Sequence, residues 1–370
     1  LGTAGFPPDV TRLVRPEIRA LGGYAAHTSP DTLDKKALPR RIIKLDANEN
    51  PYGCSPEVWR ALAACRDWSV YPDARQTVLR SQLQSYTGAP ADSIVAATGS
   101  GELLDDILCL FLGAGDEVIN CIPTFDLFRL RTLIHGGSLV TLPRRDDFSV
   151  DIAAVKAAIT PRTKMIILAN PNNPTGNAIP QEDIIELADT GVPLLMDEAY
   201  YEFCGETVVP LVGRYRNLMV LRTFSKWAGL AGLRVGYGVF DQEIAASLMK
   251  IKLPYNVNLA ALIAVEASLK DRAYLETKVK AIIEERERMF GLLRALPWLR
   301  PYPSRANYIL CDVLAGSART LHRRLEERGI LVRYFNQTFL ENSLRISAGR
   351  PEDTDAVIAA LRELEGRIND

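Results

Sequence analysis

Arg222-Thr223-Phe224-Ser225-Lys226-Trp227-Ala228-Gly229-Leu230-Ala231-Gly232-Leu233-Arg234-Val235-Gly236-Tyr237 follows Leu218, Val220 and Leu221, a short apolar run with the character of a buried strand. From Thr223 onward bulk gives way to glycine, hydroxyls and spaced cations, a mixture that packing alone does not require. The Thr223 and Ser225 hydroxyls suit an anion's oxygens, Arg234 offers a planar fork for phosphate, and Lys226 lies between them as a candidate nucleophilic amine. Read in isolation, a Ser-Lys pair is a surface lysine after a strand, and Arg234 pairs with some carboxylate. A lysine ringed by phosphate donors suggests a Schiff base to an aldehyde that carries a phosphate, such as pyridoxal phosphate, though these residues do not by themselves name the cofactor.

Upstream, strands alternate with helices. Ile94 to Ala97 reads as a strand, Thr98-Gly99-Ser100-Gly101 as a tight turn, and Glu102 to Phe111 as a helix with Leu103, Leu104, Ile107, Leu108 and Phe111 on one face. Strand, glycine turn and helix start make an anion-binding geometry, because the unpaired N–H groups and the positive helix end meet at the loop. It is not a dinucleotide fingerprint, since Leu104 stands where the third glycine belongs. Val118 to Ile122 is the next strand, followed by Pro123-Thr124-Phe125, and Met165 to Ala169 another, ending in Asn170-Pro171-Asn172-Asn173-Pro174-Thr175-Gly176. Leu194 to Met196 ends in Asp197-Glu198-Ala199-Tyr200, and a carboxylate at a buried strand's end is costly unless a cation meets it.

At the N-terminal side, residues 1 to 40 have weak periodicity and suit an arm laid on another surface. Ile42, Ile43 and Leu45 lead into Asp46-Ala47-Asn48-Glu49-Asn50-Pro51-Tyr52-Gly53, a turn with polar side chains bonding backbone, and a helix runs from about Pro56 to Cys65. Tyr71 is held extended by Pro72. Beyond the lysine segment, residues 240 to 295 are largely helical, with a long half-exposed helix from Asp271 to Leu296. After the proline-punctuated stretch Pro297 to Pro303 come Tyr308 to Cys311, a helix from Ala318 to Arg328, Leu331 to Tyr334, Leu344 to Ser347 and a last helix from Glu352 to Glu365, a small α+β unit. Arg333 and Arg345 sit inside its strand patterns, each about as readily an edge-strand arginine as not.

The 370 residues exceed one small core, and a net charge of -1 leaves no electrostatic footprint for nucleic acid. Six scattered cysteines without a CxxC pair, with three histidines, offer no metal-ligand cluster and read as reduced thiols of a cytoplasmic protein. No run approaches the ~20 apolar residues of a membrane span, and the N-terminus lacks the pattern of a signal peptide.

The lysine segment closely resembles that of the pyridoxal-phosphate fold type I aminotransferases, in particular the histidinol-phosphate aminotransferase family. Only Trp227 and Ala228 are unusual within it. Six elements occur in that family's order: N-E-N-P-Y-G, Y-P-D, G-S-G-E, N-P-N-N-P-T-G, D-E-A-Y and T-F-S-K…R. The resemblance implies an α/β fold, a mostly parallel mixed sheet sandwiched by helices in a large domain, plus a small α+β domain. It divides the chain into an arm and part of the small domain at residues 1–50, a large cofactor-binding domain at 51–290 and a C-terminal small domain at 291–370.

It also implies roles. Lys226 carries pyridoxal 5'-phosphate and moves the proton; Asp197 pairs the ring nitrogen; Asn173 and Tyr200 bond the phenolic oxygen; Phe125 stacks on the ring, keeping a π-face where the family has Tyr. Arg234, Thr223, Ser225 and the Ser100-Gly101-Glu102 turn cradle the phosphate, with Gly101 where the family usually has Asp. Tyr71 crosses a homodimer interface to the neighbouring cofactor, and Tyr24, Asn48, Arg333 and Arg345 bind substrate. The implied reaction is transamination of L-histidinol phosphate with 2-oxoglutarate. Aromatic amino acid transamination, threonine-phosphate decarboxylation and a silent cofactor-binding regulator module are the alternatives. The last needs a DNA-binding domain, for which the chain before Ile42 shows no helix-turn-helix pattern.

Overall fold

The computed structural model describes residues 10–23 and 42–368. Among these the strands are β1 (Ile43–Leu45), β2 (Ile94–Ala97), β3 (Glu117–Ile122), β4 (Ser138–Pro143), β5 (Thr163–Ala169), β6 (Leu194–Asp197), β7 (Leu218–Thr223), β8 (Gly236–Val239), β9 (Leu299–Pro301), β10 (Tyr308–Val313), β11 (Ile330–Tyr334) and β12 (Ser343–Ser347). They form a seven-stranded sheet in the order β2-β8-β7-β6-β5-β3-β4 and a five-stranded sheet in the order β1-β11-β12-β10-β9.

In the larger sheet β3 to β7 run parallel, while β8 is antiparallel to both β7 and β2. Two reversals restore direction, so β2 ends at the same edge as β5, β6 and β7. The central strands are buried on both faces, which is why they read as unbroken apolar runs. Leu194 and Met196 of β6 belong to one core and Leu195 to the other, and the same alternation holds for Leu218, Val220 against Met219, Leu221 on β7. Helices cover each layer: Ser100–Phe111 lies on the second core, and Gln181–Ala188 and Leu259–Lys270 on the first. Ligands of open α/β sheets sit beyond the carboxyl ends of the strands. Here that edge carries Ala97, Ile122, Ala169, Asp197 and Thr223, each followed by one of the polar turns read from the sequence.

The smaller sheet uses sequence from both ends of the chain. β1 pairs parallel with β11, Ile43 facing Ile330 and Leu45 facing Val332, so the segment after β1 is delivered to the rim between the two sheets. Because β11 and β12 are interior strands of this sheet, Arg333 and Arg345 are not edge-strand arginines. The long helix expected from Asp271 to Leu296 spans Arg272–Arg294 and packs Leu275, Ile282, Met289 and Leu293 inward.

Candidate active site

The polar turns at the sheet edge and the rim of the smaller sheet enclose a cavity of about 460 Å³. Its walls bring together Asn48, Ser100, Gly101, Phe125, Asn173, Asp197, Tyr200, Thr223, Ser225, Lys226, Arg234, Arg333 and Arg345, residues spread over almost 300 positions of sequence.

Lys226 enters from the loop after β7. Asn50 Nδ2 donates to the Trp227 carbonyl at 2.8 Å, and Gly229 (φ 67°) lies so close to the Gly53 backbone that a Cβ there would meet it at 2.4 Å. The N-E-N-P-Y-G turn is therefore the seat of the lysine loop. Behind it Trp227, 1 % exposed, stacks on Tyr86 with centroids 5.5 Å apart, so this departure from the family pattern is a core residue. Lys226 Nζ donates to the Ala47 carbonyl at 2.9 Å. Burial, then the Arg345 guanidinium, pushes the amine down to about 8; Glu49 opposes the shift, and Arg234 and Lys44 add to it. No carboxylate holds it as an ammonium at bonding distance among the described residues.

Asp197 ends β6 at 8 % exposure, accepting the Ala199 N–H at 3.0 Å. Burial pushes its carboxyl up to about 6, with Lys226 acting the other way. A carboxylate so placed is stabilised by a cationic N–H arriving in the cavity, which is what a protonated ring nitrogen supplies. Beneath it, Arg222 and Glu198, buried at 3 % and 0 % exposure, form an ion pair at 2.9 Å that clamps β7 to the segment after β6.

The other donors gather around the start of the helix Ser100–Phe111, whose N-cap Gly99 (φ 81°) supplies no side-chain cap. A Cβ on Gly99 would stand 2.7 Å from Arg234 Nη2, so the missing side chain is the hollow that admits the guanidinium. Thr223 Oγ1 donates to Ser225 Oγ at 2.9 Å, which leaves the Ser225 hydrogen for a further acceptor. First-turn N–H groups, two hydroxyls and an arginine fit a phosphate monoester, and an aldehyde-bearing pyridine phosphate matches this donor set with Lys226 and Asp197.

On the rim, Arg333 and Arg345 are directly opposite on β11 and β12 and therefore share a face. Like charges opposed across a sheet repel, and aromatic faces and acceptors soften the pair. Arg345 donates to Asn173 Oδ1 at 2.7 Å and to the Asp46 carbonyl, and lies 5.3 Å from the Tyr308 ring centre. Phe335 has Arg333 at 5.6 Å and Arg345 at 5.8 Å. Two guanidiniums facing one cavity are donors suited to anionic groups.

Residues 40–361 match the family profile described as Aminotransferase class I and II. The chain belongs to that family. It is 48 % identical to a histidinol-phosphate aminotransferase of Dehalococcoides mccartyi over 96 % of this chain and 99 % of the relative. It is 44 % identical to one of Roseiflexus castenholzii over 97 % and 100 %. The crystal structure of histidinol-phosphate aminotransferase from Sinorhizobium meliloti in complex with pyridoxal-5'-phosphate superposes with a TM-score of 0.88 at 28 % identity, covering 99 % of this chain and 100 % of that one.

Within this aminotransferase, four sequence-derived site residues are placed differently from the rest or fall outside the described residues. Glu102 turns its carboxylate to the Thr98 N–H and to Asn256 Nδ2 at 3.2 Å, capping its own turn, and does not border the cavity. Tyr71 is 78 % exposed, stacks on Tyr255 at 4.6 Å and is likewise absent from the cavity walls of its own chain. Asn48 borders the cavity, but its amide is engaged by Tyr200 and Ser347. Tyr24 lies outside the described residues. Phe125 borders the cavity and meets Phe128 edge-on at 5.6 Å. Sequence reading passed over Thr124, Phe335 and Gln337, which also line it. The alternation Arg333, Phe335 was a usable signal, since residues two apart share a strand face.

Proposed function

We propose that this aminotransferase moves the amino group of L-histidinol phosphate to 2-oxoglutarate, giving imidazole acetol phosphate and glutamate, with pyridoxal 5'-phosphate held by Lys226. The observation that carries the reading is the meeting, in one cavity, of a depressed lysine amine, a buried carboxylate, a phosphate cradle and two arginines.

When bound, pyridoxal phosphate supplies an electron sink for the charge left by proton removal. Asp197 keeps its ring nitrogen protonated, Asn173 and Tyr200 stabilise its phenolic oxygen, Phe125 covers a face, and Arg234, Thr223, Ser225 and the Ser100-Gly101 backbone hold its phosphate. Lys226 Nζ, pushed down to about 8, keeps a minor neutral fraction at physiological pH, the form that would bond the cofactor and give way there to the substrate amine. It then takes the proton from the substrate carbon and delivers it to the cofactor carbon as base and acid in turn. Arg333 and Arg345 serve both substrates, because a phosphate monoester and a dicarboxylate each need cationic donors. Tyr24 is a third candidate.

We infer a homodimer in which Tyr71 completes the partner's cavity; its exposure, beside exposed Trp68 and Val70, supports this. The division at residues 50 and 290 is supported by the two sheets, and cytoplasmic placement by six free cysteines. Turnover of histidinol phosphate should exceed that of phenylalanine; the reverse order displaces the proposed substrate.

A further inference from the structure

Residues 46 to 48 are held by three different parts of the site. The Asp46 carbonyl accepts from Arg345, the Ala47 carbonyl from Lys226 at 2.9 Å, and the Asn48 carbonyl from Asn307 Nδ2 at 3.0 Å. Asn48, 1 % exposed, stands at φ 54° in the left-handed region. Such a backbone persists where several contacts over-determine it.

Donor counting gives the hydrogen directions. The Asn48 N–H donates to Ser347 Oγ at 3.0 Å, and that hydroxyl passes its own hydrogen to Asn48 Oδ1 at 2.9 Å. With its oxygen toward Ser347, the amide presents Nδ2 to Tyr200 Oη, 2.9 Å away. Tyr200 is thus an acceptor toward Asn48, and its hydroxyl hydrogen is aimed away from Asn48, on a residue that borders the cavity beside Asp197 and Lys226. A reversed amide would give Ser347 Oγ two donors and take away the acceptor of its own hydrogen, in a site 2 % exposed.

We infer that Ser347 and Asn48 are positioning residues: the Ser347 hydroxyl orients the Asn48 amide, and the amide makes Tyr200 a hydrogen donor to the cavity. The inference rests on the proposed role of Tyr200 toward the phenolic oxygen of pyridoxal phosphate. Ser347 lies two residues after Arg345 on β12, so the strand that presents the substrate arginine also sets this hydrogen.

The test is the pH midpoint of the visible absorbance of the holoenzyme reconstituted with pyridoxal phosphate, in a double-mutant cycle. Donation from Tyr200 stabilises the phenolate and holds the midpoint down, so Tyr200→Phe raises it. Ser347→Ala is neutral and frees the amide to turn its oxygen to Tyr200, which then spends its hydrogen there. It should raise the midpoint by about 0.5–1 pH unit, the size of one net hydrogen bond. In the Tyr200→Phe background it should add nothing. The charged and titratable groups gathered around Lys226, Asp197 and Tyr308, namely those three with Arg345 on β12, Lys44 in β1, Glu49 after it and Arg234 after β7, are untouched by the substitution. Asn48→Asp is the second variant: its near-isosteric carboxylate accepts from both hydroxyls, so it should raise the midpoint more in the Tyr200 enzyme than in the Tyr200→Phe background. A midpoint unmoved by Ser347→Ala, or moved equally in both backgrounds, overturns the inference while leaving the cofactor reading intact. If the unmutated protein gives no visible band with pyridoxal phosphate, the cofactor reading fails and takes the inference with it.

Discussion

Asp197→Asn should stabilise the protein without cofactor and disable it with cofactor. The carboxyl is buried and pushed up to about 6 from an ordinary value of 3.8. A folded-state value above the unfolded one means stability is fully present below about pH 4 and is lost as pH rises through about 6. The shift of roughly two units, at 1.36 kcal/mol each, makes the ionised Asp197 cost the apoprotein about 3 kcal/mol at pH 7.5. Asparagine keeps the oxygen that accepts the Ala199 N–H and removes the charge. Urea unfolding of both apoproteins from pH 4 to 8 is the assay, and the difference between the curves is the quantity to follow. Glu202 and Asp106 are also pushed up by burial, to about 7 and about 6, and the subtraction cancels them. The variant should gain about 1–3 kcal/mol on the native protein by pH 7.5, the low end allowing for the buried amide's own desolvation. With cofactor present its activity should fall roughly 10²–10³-fold, the scale of losing one preorganised electrostatic partner. An apoprotein variant no more stable than the native protein at pH 7.5 would refute the claim that Asp197 is held uncompensated for an incoming cation.

Gly99→Ala, at φ 81° and with a Cβ 2.7 Å from Arg234 Nη2, should weaken pyridoxal phosphate binding about 10-fold or more, measured by fluorescence titration. Gly88→Ala, at φ 77° with open space around it, should lower stability and leave that affinity alone. The rate at which apoprotein captures pyridoxal phosphate should rise about tenfold from pH 7 to 9 and level off, following the neutral fraction of an amine at about 8. A rate still climbing tenfold per unit at pH 9 would mean an ordinary lysine. Arg345→Gln removes the guanidinium that lowers the amine and should move that midpoint upward.

What was legible in the sequence is what local chemistry determines. β5, β6 and β7 are apolar runs because both faces are covered, and each ends in a turn whose Asn, Asp or Lys is too polar for a mere connection. The carboxylate at 197 ends β6 and the amine at 226 follows the end of its neighbour β7, so finding them in one cavity follows from strand adjacency. The long-range pairings were not legible. β1 is three residues long and is defined by Ile330–Val332, some 285 positions away, while β8 reads as the tail of the lysine segment because its glycines fit beside β7 and the helix start at Ser100. Glu102 shows why side-chain roles are harder: its spacing is that of a phosphate turn, yet the nearer Thr98 N–H and the Asn256 amide, from a helix connection 150 residues on, claim its carboxylate. Asn48 is a similar case, since its amide's partners lie on β12 and after β6.

The central claim is that the amine at position 226 is the one that bonds the cofactor. Reduction of the reconstituted enzyme with borohydride, followed by tryptic digestion and mass spectrometry, should yield the peptide Thr223–Arg234 uncleaved at Lys226 and carrying one phosphopyridoxyl group. Recovery of the label on Lys44 or Lys252, or on no lysine at all, would contradict it.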